Sequence, residues 1–316
     1  MRPEVEALDP ARHAGEQFDY FSMAAFASGT PEVLSGAALG QRAHIVEPSD
    51  VLLSRIVSHP RRAWVVGQGR GRRQVASAEW IVLRGSSHDP GYLRHLLVSN
   101  HFHVRFMRLT AGSSKAVRRA RPAQIADIDV PLPPLPVQRR IAIVLDTADA
   151  LRAKRGVVLS AIDTLVQAYF SDFFGDIRTN ARGWPQVRLA DCLTMPPVPG
   201  AQTVASGEEG DWIVLRLPFD PERAEPVFIR QLFRTPAGHA LLDGVSRRFK
   251  TRIRLDTRVI ATLRVPLPPI ANQREFVRAL AVIEKQKAMT LASAAELDAL
   301  LVSLRDRAYR GDLLLA

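Results

Sequence analysis

The sequence predicts a mixed α/β (α+β) chain. Two globular parts are joined by two long helices that pair as an antiparallel coiled coil, related by an internal pseudo-twofold repeat. Three observations carry this reading. Val130-Pro131-Leu132-Pro133-Pro134-Leu135 recurs as Val265-Pro266-Leu267-Pro268-Pro269-Ile270, and Gln138-Arg139 as Gln273-Arg274, all displaced by 135 residues. Each copy opens a long run with a heptad seam. Ahead of each copy the same order of strand, turn, helix and basic segment is traversed. A chain built by duplication presents two similar surfaces, which suits a two-part target.

The first globular part, residues 1–135, contains a strand-like segment, Asp50 to Val57, and a glycine-rich basic stretch, Gly67-Gln68-Gly69-Arg70-Gly71-Arg72-Arg73. Glu79-Trp80-Ile81-Val82-Leu83-Arg84 reads as a strand and matches Asp211-Trp212-Ile213-Val214-Leu215-Arg216. Asp89-Pro90 and Asp220-Pro221 are expected to be equivalent turns. The helical pattern Tyr92 to Leu97 pairs with Phe228 to Phe233, and Gly112 and Gly244 follow.

The proline motif is a boundary for a physical reason. Three prolines in four residues cannot lie inside a helix, and each pushes its predecessor toward extended geometry. A proline at a helix start, by contrast, gives up no hydrogen bond. Helices are therefore expected over 136–176 and 270–316. The first seam runs Ile141, Leu145, Ala148, Arg152, Arg155, Leu159, Ile162, Val166, Tyr169, Phe173. The second runs Phe276, Leu280, Ile283, Lys287, Thr290, Ala294, Leu297, Leu301, Leu304, Ala308. Both are apolar at their ends and polar in the middle, and an antiparallel pairing puts the polar middles together. The second globular part, 177–269, opens with Gly183-Trp184-Pro185-Gln186-Val187-Arg188-Leu189. It lacks a counterpart of roughly residues 20–75.

Composition narrows the function. The 316 residues are 47% hydrophobic and 24% charged, ordinary for a globular chain of one or two domains. A single cysteine, Cys192, excludes an internal disulfide and any multi-cysteine zinc site. No uninterrupted apolar run of about 18 residues and no signal-peptide core is present, so no membrane association and a cytoplasmic location are expected. The net charge of +11 is localised: residues 50–125 hold 14 Lys/Arg against 3 Asp/Glu, and residues 216–258 hold 10 against 5. An arginine-rich proteome would raise the charge throughout. Local surplus points to a polyanion surface.

No catalytic constellation stands out. Gly67-x-Gly69-x-Gly71 lacks the Lys-Ser/Thr of a phosphate-binding loop and reads as a flexible basic loop. His101-Phe102-His103 places two imidazoles two apart, as on a strand, but has no cysteine or acidic partner nearby, so no metal site is expected. Methyltransferase signatures are absent. Trp80 and Trp212 sit on apolar strands and are expected in the core. What remains is basic: Arg70, Arg72 and Arg73 in the loop; Lys115, Arg118, Arg119 and Arg121 before the first proline motif; and Arg247, Arg248, Lys250 and Arg252 at the equivalent place before the second. In the second cluster Arg252 and Arg254 alternate with Ile253 and Leu255, as on a strand with one charged face. Such arginines can contact phosphates or make bidentate contacts to guanine.

The pattern Ile-x-Val-Pro-Leu-Pro-Pro-Leu-x-x-Gln-Arg-x-Ile-Ala before a long helix spans Ile128 to Ala142 and recurs in weaker form from Val265 to Arg274. It resembles the conserved region of the DNA specificity (S) subunit of type I restriction-modification enzymes. The Gly183-Trp184-Pro185-x-Val187-x-Leu189 opening, Asp50-Val51-Leu52 and Asp89-Pro90-x-Tyr92-Leu93 are similar to its target recognition domains. The resemblance implies a first recognition domain (1–135) and a shortened second one (177–269), reading a bipartite site in double-stranded DNA. It further implies that the helices set the gap between half-sites and dock DNA adenine methyltransferase (modification) subunits. S-adenosylmethionine, ATP and Mg are then expected on partner subunits, the last two on a translocase-nuclease, and no cofactor on this chain. It implies a non-catalytic role in phage defence. Two other readings stand beside it: a degenerate assembly protein with little sequence preference, and an accessory subunit with a cryptic nuclease or methyltransferase activity.

Overall fold

A computed structural model describes residues 5–56, 61–109, 120, 123, 125, 128–196, 204–205, 213–214, 217–245, 247–249, 252–254 and 257–310. Two compact units emerge. One comprises Met1–Ala153 with Ala294–Ala316, the other Lys154–Ser293.

In the first unit, β1 (Ala7–Leu8), β2 (Gln17–Phe21), β3 (Glu32–Ser35), a short α1 (Gly36–Leu39), β4 (Ala43–Val46), β5 (Val51–Ser54), β6 (Ala63–Val65), β7 (Arg73–Ser77) and β8 (Trp80–Leu83) build two sheets. The five-stranded sheet has the order β1-β4-β7-β2-β3, with only the β2–β7 pair parallel. The three-stranded sheet, β6-β5-β8, is antiparallel. Strands β5 and β8 are buried on both faces, and their alternation sorts side chains into two cores. Val51, Leu53, Ile81 and Leu83 pack with Tyr92, Leu93 and Leu96. Leu52, Trp80 and Val82 pack with Phe21, Val46 and Ala76 on the other side. Trp80 is a core residue whose indole N–H donates to Phe21 O at 2.9 Å. Trp212 lies outside the described residues.

Two helices follow, α2 (Pro90–Val98) and α3 (Asn100–Leu109). Asp89 caps α2 by accepting from the Tyr92 N–H at 3.0 Å, and Pro90 occupies the first turn, where its missing N–H costs nothing. Ser99 Oγ accepts from the Phe102 N–H at 3.2 Å and so starts α3. His101-Phe102-His103 is therefore helical, not a strand. The two imidazoles diverge around the buried Phe102.

The first long helix, α4 (Leu135–Phe174), begins at the proline motif and ends at Gly175. That glycine, at φ 78°, donates its N–H back to Ser171 O at 2.8 Å, a left-handed termination that favours glycine. The second unit holds β9 (Gln186–Arg188), β10 (Val204–Ala205), β11 (Ile213–Val214), α5 (Pro226–Arg234), α6 (Pro236–Val245), β12 (Arg247–Phe249), β13 (Arg252–Arg254), α7 (Thr257–Ala261) and β14 (Arg264–Pro266). The last long helix, α8, runs Ile270–Arg310. Strands pair as β9–β14, β10–β11 and β12–β13, all antiparallel. Among the described residues, this unit has no counterpart of the five-stranded sheet. Only 50 residues separate Phe174 from Glu225, against 88 before Asp89.

The expected equivalence of Asp89-Pro90 and Asp220-Pro221 is wrong. Asp220 lies in a turn, and the residue at the start of α5 is Glu225, followed by Pro226. The true offset is 136, shared with Tyr92 and Phe228. An identical dipeptide nearby outcompeted the chemically similar Glu-Pro.

Within each unit the long helices run antiparallel. In the first, Asp149 meets Arg305 at 2.8 Å and Arg152 meets Asp298 at 2.7 Å, so numbers fall on α8 as they rise on α4. In the second, Asp163 pairs with Lys287, and Tyr169 stacks on Phe276 with ring centroids 5.5 Å apart. The ends of both helices close the cores: Ile141, Leu145, Leu301 and Tyr309 in the first unit, and Val166, Phe170, Phe276 and Leu280 in the second.

Candidate nucleic-acid interface

The basic loop between β6 and β7 is closed by the Gln74 amide, which donates to Gly67 O at 3.1 Å, and turns through Gly71 at φ 84°. Its arginines differ in state. Arg73 is 3.2 Å from the Glu16 carboxylate, with its guanidinium 5.7 Å from the Phe18 ring centroid. Arg72 lies 3.4 Å from the buried carboxylate of Asp19. Arg70 is exposed. A guanidinium already paired has less to gain from a phosphate, so Arg70 is the loop's most available cation.

In the second unit, β12 and β13 form a two-stranded ribbon in the register Arg247↔Arg254, Arg248↔Ile253, Phe249↔Arg252. Backbone pairing alone thus gathers four arginines onto one ribbon. A ribbon of this kind fits the major groove. Lys250 lies outside the described residues, as do Lys115, Arg118, Arg119 and Arg121.

The seam residues occupy the least exposed side of each helix. Ile141, Leu145, Val166, Phe276, Leu280 and Leu301 are buried, and Leu159, Ile162 and Leu297 are half-buried. The middle of the pair is polar: Arg155 donates to Ser293 O, and Lys287 reaches Asp163.

Two features were not recognised in the sequence. The first is a repeated glutamine clamp. Gln138, buried in the first turn of α4, accepts the Asp89 N–H at 2.8 Å and donates to Pro133 O at 2.7 Å. Gln273, fully buried in α8, accepts the Glu225 N–H at 2.9 Å and donates to Pro268 O at 2.7 Å and to Arg223 O at 3.2 Å. In each unit the amide ties the proline turn to the start of a globular-domain helix. Its signal was present, since Gln recurs in the motif.

The second feature is an ionic cluster around a buried histidine in the first unit. His95, with no exposed surface, has Nε2 at 2.8 Å from both Asp146 and Arg94, and Nδ1 at 3.8 Å from Asp149. Arg305 closes the cluster onto Asp149. Burial, reinforced by the Arg94 charge, pulls the His95 pKa down to about 4. Asp146 is held below the usual carboxylate range: hydrogen bonds from His95 and Arg94 outweigh its desolvation. The equivalent of His95 in the second unit is Gln231, whose buried amide has neither atom paired. The cluster joins residues more than 200 positions apart, and no local pattern announces it.

Among the described residues, no group of three or more metal-ligating side chains occurs. No protein-family profile and no curated protein matches the chain. Solved structures do. A chain from a type I R-M system, solved in work on its complex assembly and conformational transition, superposes with a TM-score of 0.57 at 19% identity, covering 98% of this chain and 95% of that one. The type I restriction-modification S subunit from M. genitalium gives 0.50 at 10% identity, covering 97% and 92%. The HsdS subunit from Thermoanaerobacter tengcongensis gives 0.48 at 19%, covering 98% and 94%. Over 97–98% of its length the chain carries the fold of type I restriction-modification specificity subunits.

Proposed function

We propose that the chain is the non-catalytic DNA-specificity subunit of a type I restriction-modification complex in the cytoplasm, reading a bipartite site in double-stranded DNA. The observation that carries this reading is end-to-end fold likeness to a type I R-M chain at a TM-score of 0.57, in a chain with two localised basic surpluses. Residues 1–135 are the first recognition domain and 177–269 the shortened second. The long helices between them form an antiparallel coiled coil in a pseudo-twofold arrangement. In this reading the helices set the gap between the half-sites. The ribbon arginines Arg247, Arg248 and Arg252, with Lys250 beside them, are the DNA contacts of the second domain. Arg70, then Arg72 and Arg73, with Lys115, Arg118, Arg119 and Arg121, serve the first.

Partner docking has its own surface. Val144, Leu151, Val158 and Leu165 recur every seventh residue on α4 and are all exposed, between 47% and 54%. Thr147, Lys154, Ala161 and Ala168 fill the intervening steps, so α4 carries a second seam beside the one facing α8. This also accounts for α4 being long and apolar enough to cross a membrane by length and composition while most of that stretch is not buried. A helix of a methyltransferase subunit fits that seam. S-adenosylmethionine, ATP and Mg then belong to the methyltransferase and translocase-nuclease subunits.

The test is selection from a random duplex library by the chain assembled with its methyltransferase subunit. The reading expects a split sequence to be enriched. Recovery of unrelated duplexes, with affinity governed by salt alone, favours the assembly-protein reading instead. Turnover of DNA by the isolated chain with metal or S-adenosylmethionine would contradict the non-catalytic assignment.

A further inference from the structure

Helix α3 has a basic outer face that the sequence clusters did not include. His101, Arg105 and Arg108 stand at i, i+4 and i+7, on one side of the helix, and both arginines are exposed. The opposite side is fixed: Phe102 and Phe106 are buried and stack with centroids 5.6 Å apart. The start of α3 is held by Arg61, which donates to Val98 O at 2.9 Å and to Asn100 Oδ1 at 2.8 Å. Arg105 also donates to Asp129 O, which tethers its guanidinium.

The end of α8 adds to this face. Burial lowers the His101 pKa, and Arg105 and Arg310 lower it further against Asp306; burial and the nearby Arg305 likewise lower Arg61. His101 thus has two cations, Arg105 and Arg310, and one carboxylate, Asp306, among the charges acting on it. Around α3 stand Arg61, Arg105, Arg108 and Arg310; the carboxylates beside them among the described residues are Asp306, 3.8 Å from Arg310, and Asp129, whose carbonyl holds Arg105. A rigid helix face with this surplus is complementary to a polyanion.

We propose that the outer face of α3, with Arg310 of α8, is a phosphate-tracking surface for double-stranded DNA, formed by residues other than those of the arginine clusters named above and without a basic counterpart on α6 of the second unit. It rests on the DNA-binding reading. Phosphate contact fits better than base reading because, among the described residues, the face is a helix side flanked by a second helix end. One-sidedness follows from α6, at the same place in the second unit, whose ten residues Pro236–Val245 contain no lysine or arginine.

The experiment uses the assembled complex with two duplexes, one selected and one scrambled, titrated from 50 to 300 mM salt. Arg105→Gln, Arg108→Gln and Arg310→Gln are combined in one variant. Each lost phosphate contact should remove about 0.9 from the slope of log affinity against log salt, so about 2 to 3 for the triple variant. Both duplexes should weaken alike, leaving their affinity ratio unchanged. Because Arg105 also binds Asp129 O, the double variant Arg108→Gln/Arg310→Gln is measured too, with an expected change of about 2. An unchanged slope in both variants overturns the proposal, as does a change in the ratio, which would mean base reading. If the unmodified complex binds no DNA, it is the DNA-binding reading that fails.

Discussion

Replacing Gln273 by alanine should loosen the second unit at the proline turn by a measurable amount. The side chain has no exposed surface and makes three hydrogen bonds, to the Glu225 N–H at 2.9 Å, Pro268 O at 2.7 Å and Arg223 O at 3.2 Å. Alanine leaves all three partners short of a bond in a site closed to water. At about 1 kcal/mol for each, the loss is about 3 kcal/mol. With a urea dependence of about 2 kcal/mol/M, the unfolding midpoint falls by about 1.5 M. Cys192 makes a suitable reporter, being the only cysteine, buried in the same core, with burial pushing its thiol pKa up. Thiol labelling against urea concentration then follows unfolding of this unit. Gln273→Glu keeps the acceptor but turns the two carbonyl partners onto a carboxylate, so at pH 7 it should be no milder than alanine. A midpoint shift below about 0.3 M for alanine, or wild-type behaviour of the glutamate variant, would refute the clamp.

Three further outcomes are expected. Leu145→Asp with Leu280→Asp places a carboxylate in each buried end of the helix pair; helical signal and methyltransferase association should both drop, and an intact complex would contradict the seam. Leu151→Asp with Val158→Asp, on the exposed stripe, should leave the fold unchanged and abolish association; retained association would remove that surface from the account. His95 should make stability depend on pH. Its folded pKa is lowered from 6.5 to about 4, so the unfolded chain binds more protons between those values and stability falls as pH drops from about 6.5 to about 4, by up to about 3 kcal/mol. His95→Gln, matching Gln231 of the second unit, should flatten that dependence in urea titrations at pH 7.5 and 5, whereas an unchanged dependence would show that burial, Arg94 and Arg305 do not hold the imidazole neutral against Asp146 and Asp149.

The large architecture was legible because it rests on strong local rules. Three prolines in four residues stop one element and start another, and toward the helix ends the heptad positions Ile141, Leu145, Val166, Phe276, Leu280 and Leu301 are buried. The continuous apolar runs Val51–Leu53 and Trp80–Leu83 likewise suit strands buried on both faces. Short-range likeness misled in two places. Asp220-Pro221 duplicates Asp89-Pro90 letter for letter, yet the clamp selects Glu225-Pro226, whose N–H faces Gln273. His101-Phe102-His103 alternates like a strand, but Ser99 two residues ahead supplies the helix start, a signal that was there to be read. The basic face of α3 was hidden by that same misreading: Arg105 and Arg108 share a side with His101 only on a helix. The cluster around His95 depends on α2, α4 and α8 meeting, which no window of sequence contains.

The central claim is sequence-specific DNA reading, and it is tested most directly by one ratio. The affinity of the assembled complex for its selected duplex is divided by that for a scrambled duplex of equal length, both at 150 mM salt. The account predicts a ratio of at least about 10³, the discrimination of a specific DNA-binding protein over its own non-specific binding. A ratio near one, with both affinities falling together as salt rises, would contradict it.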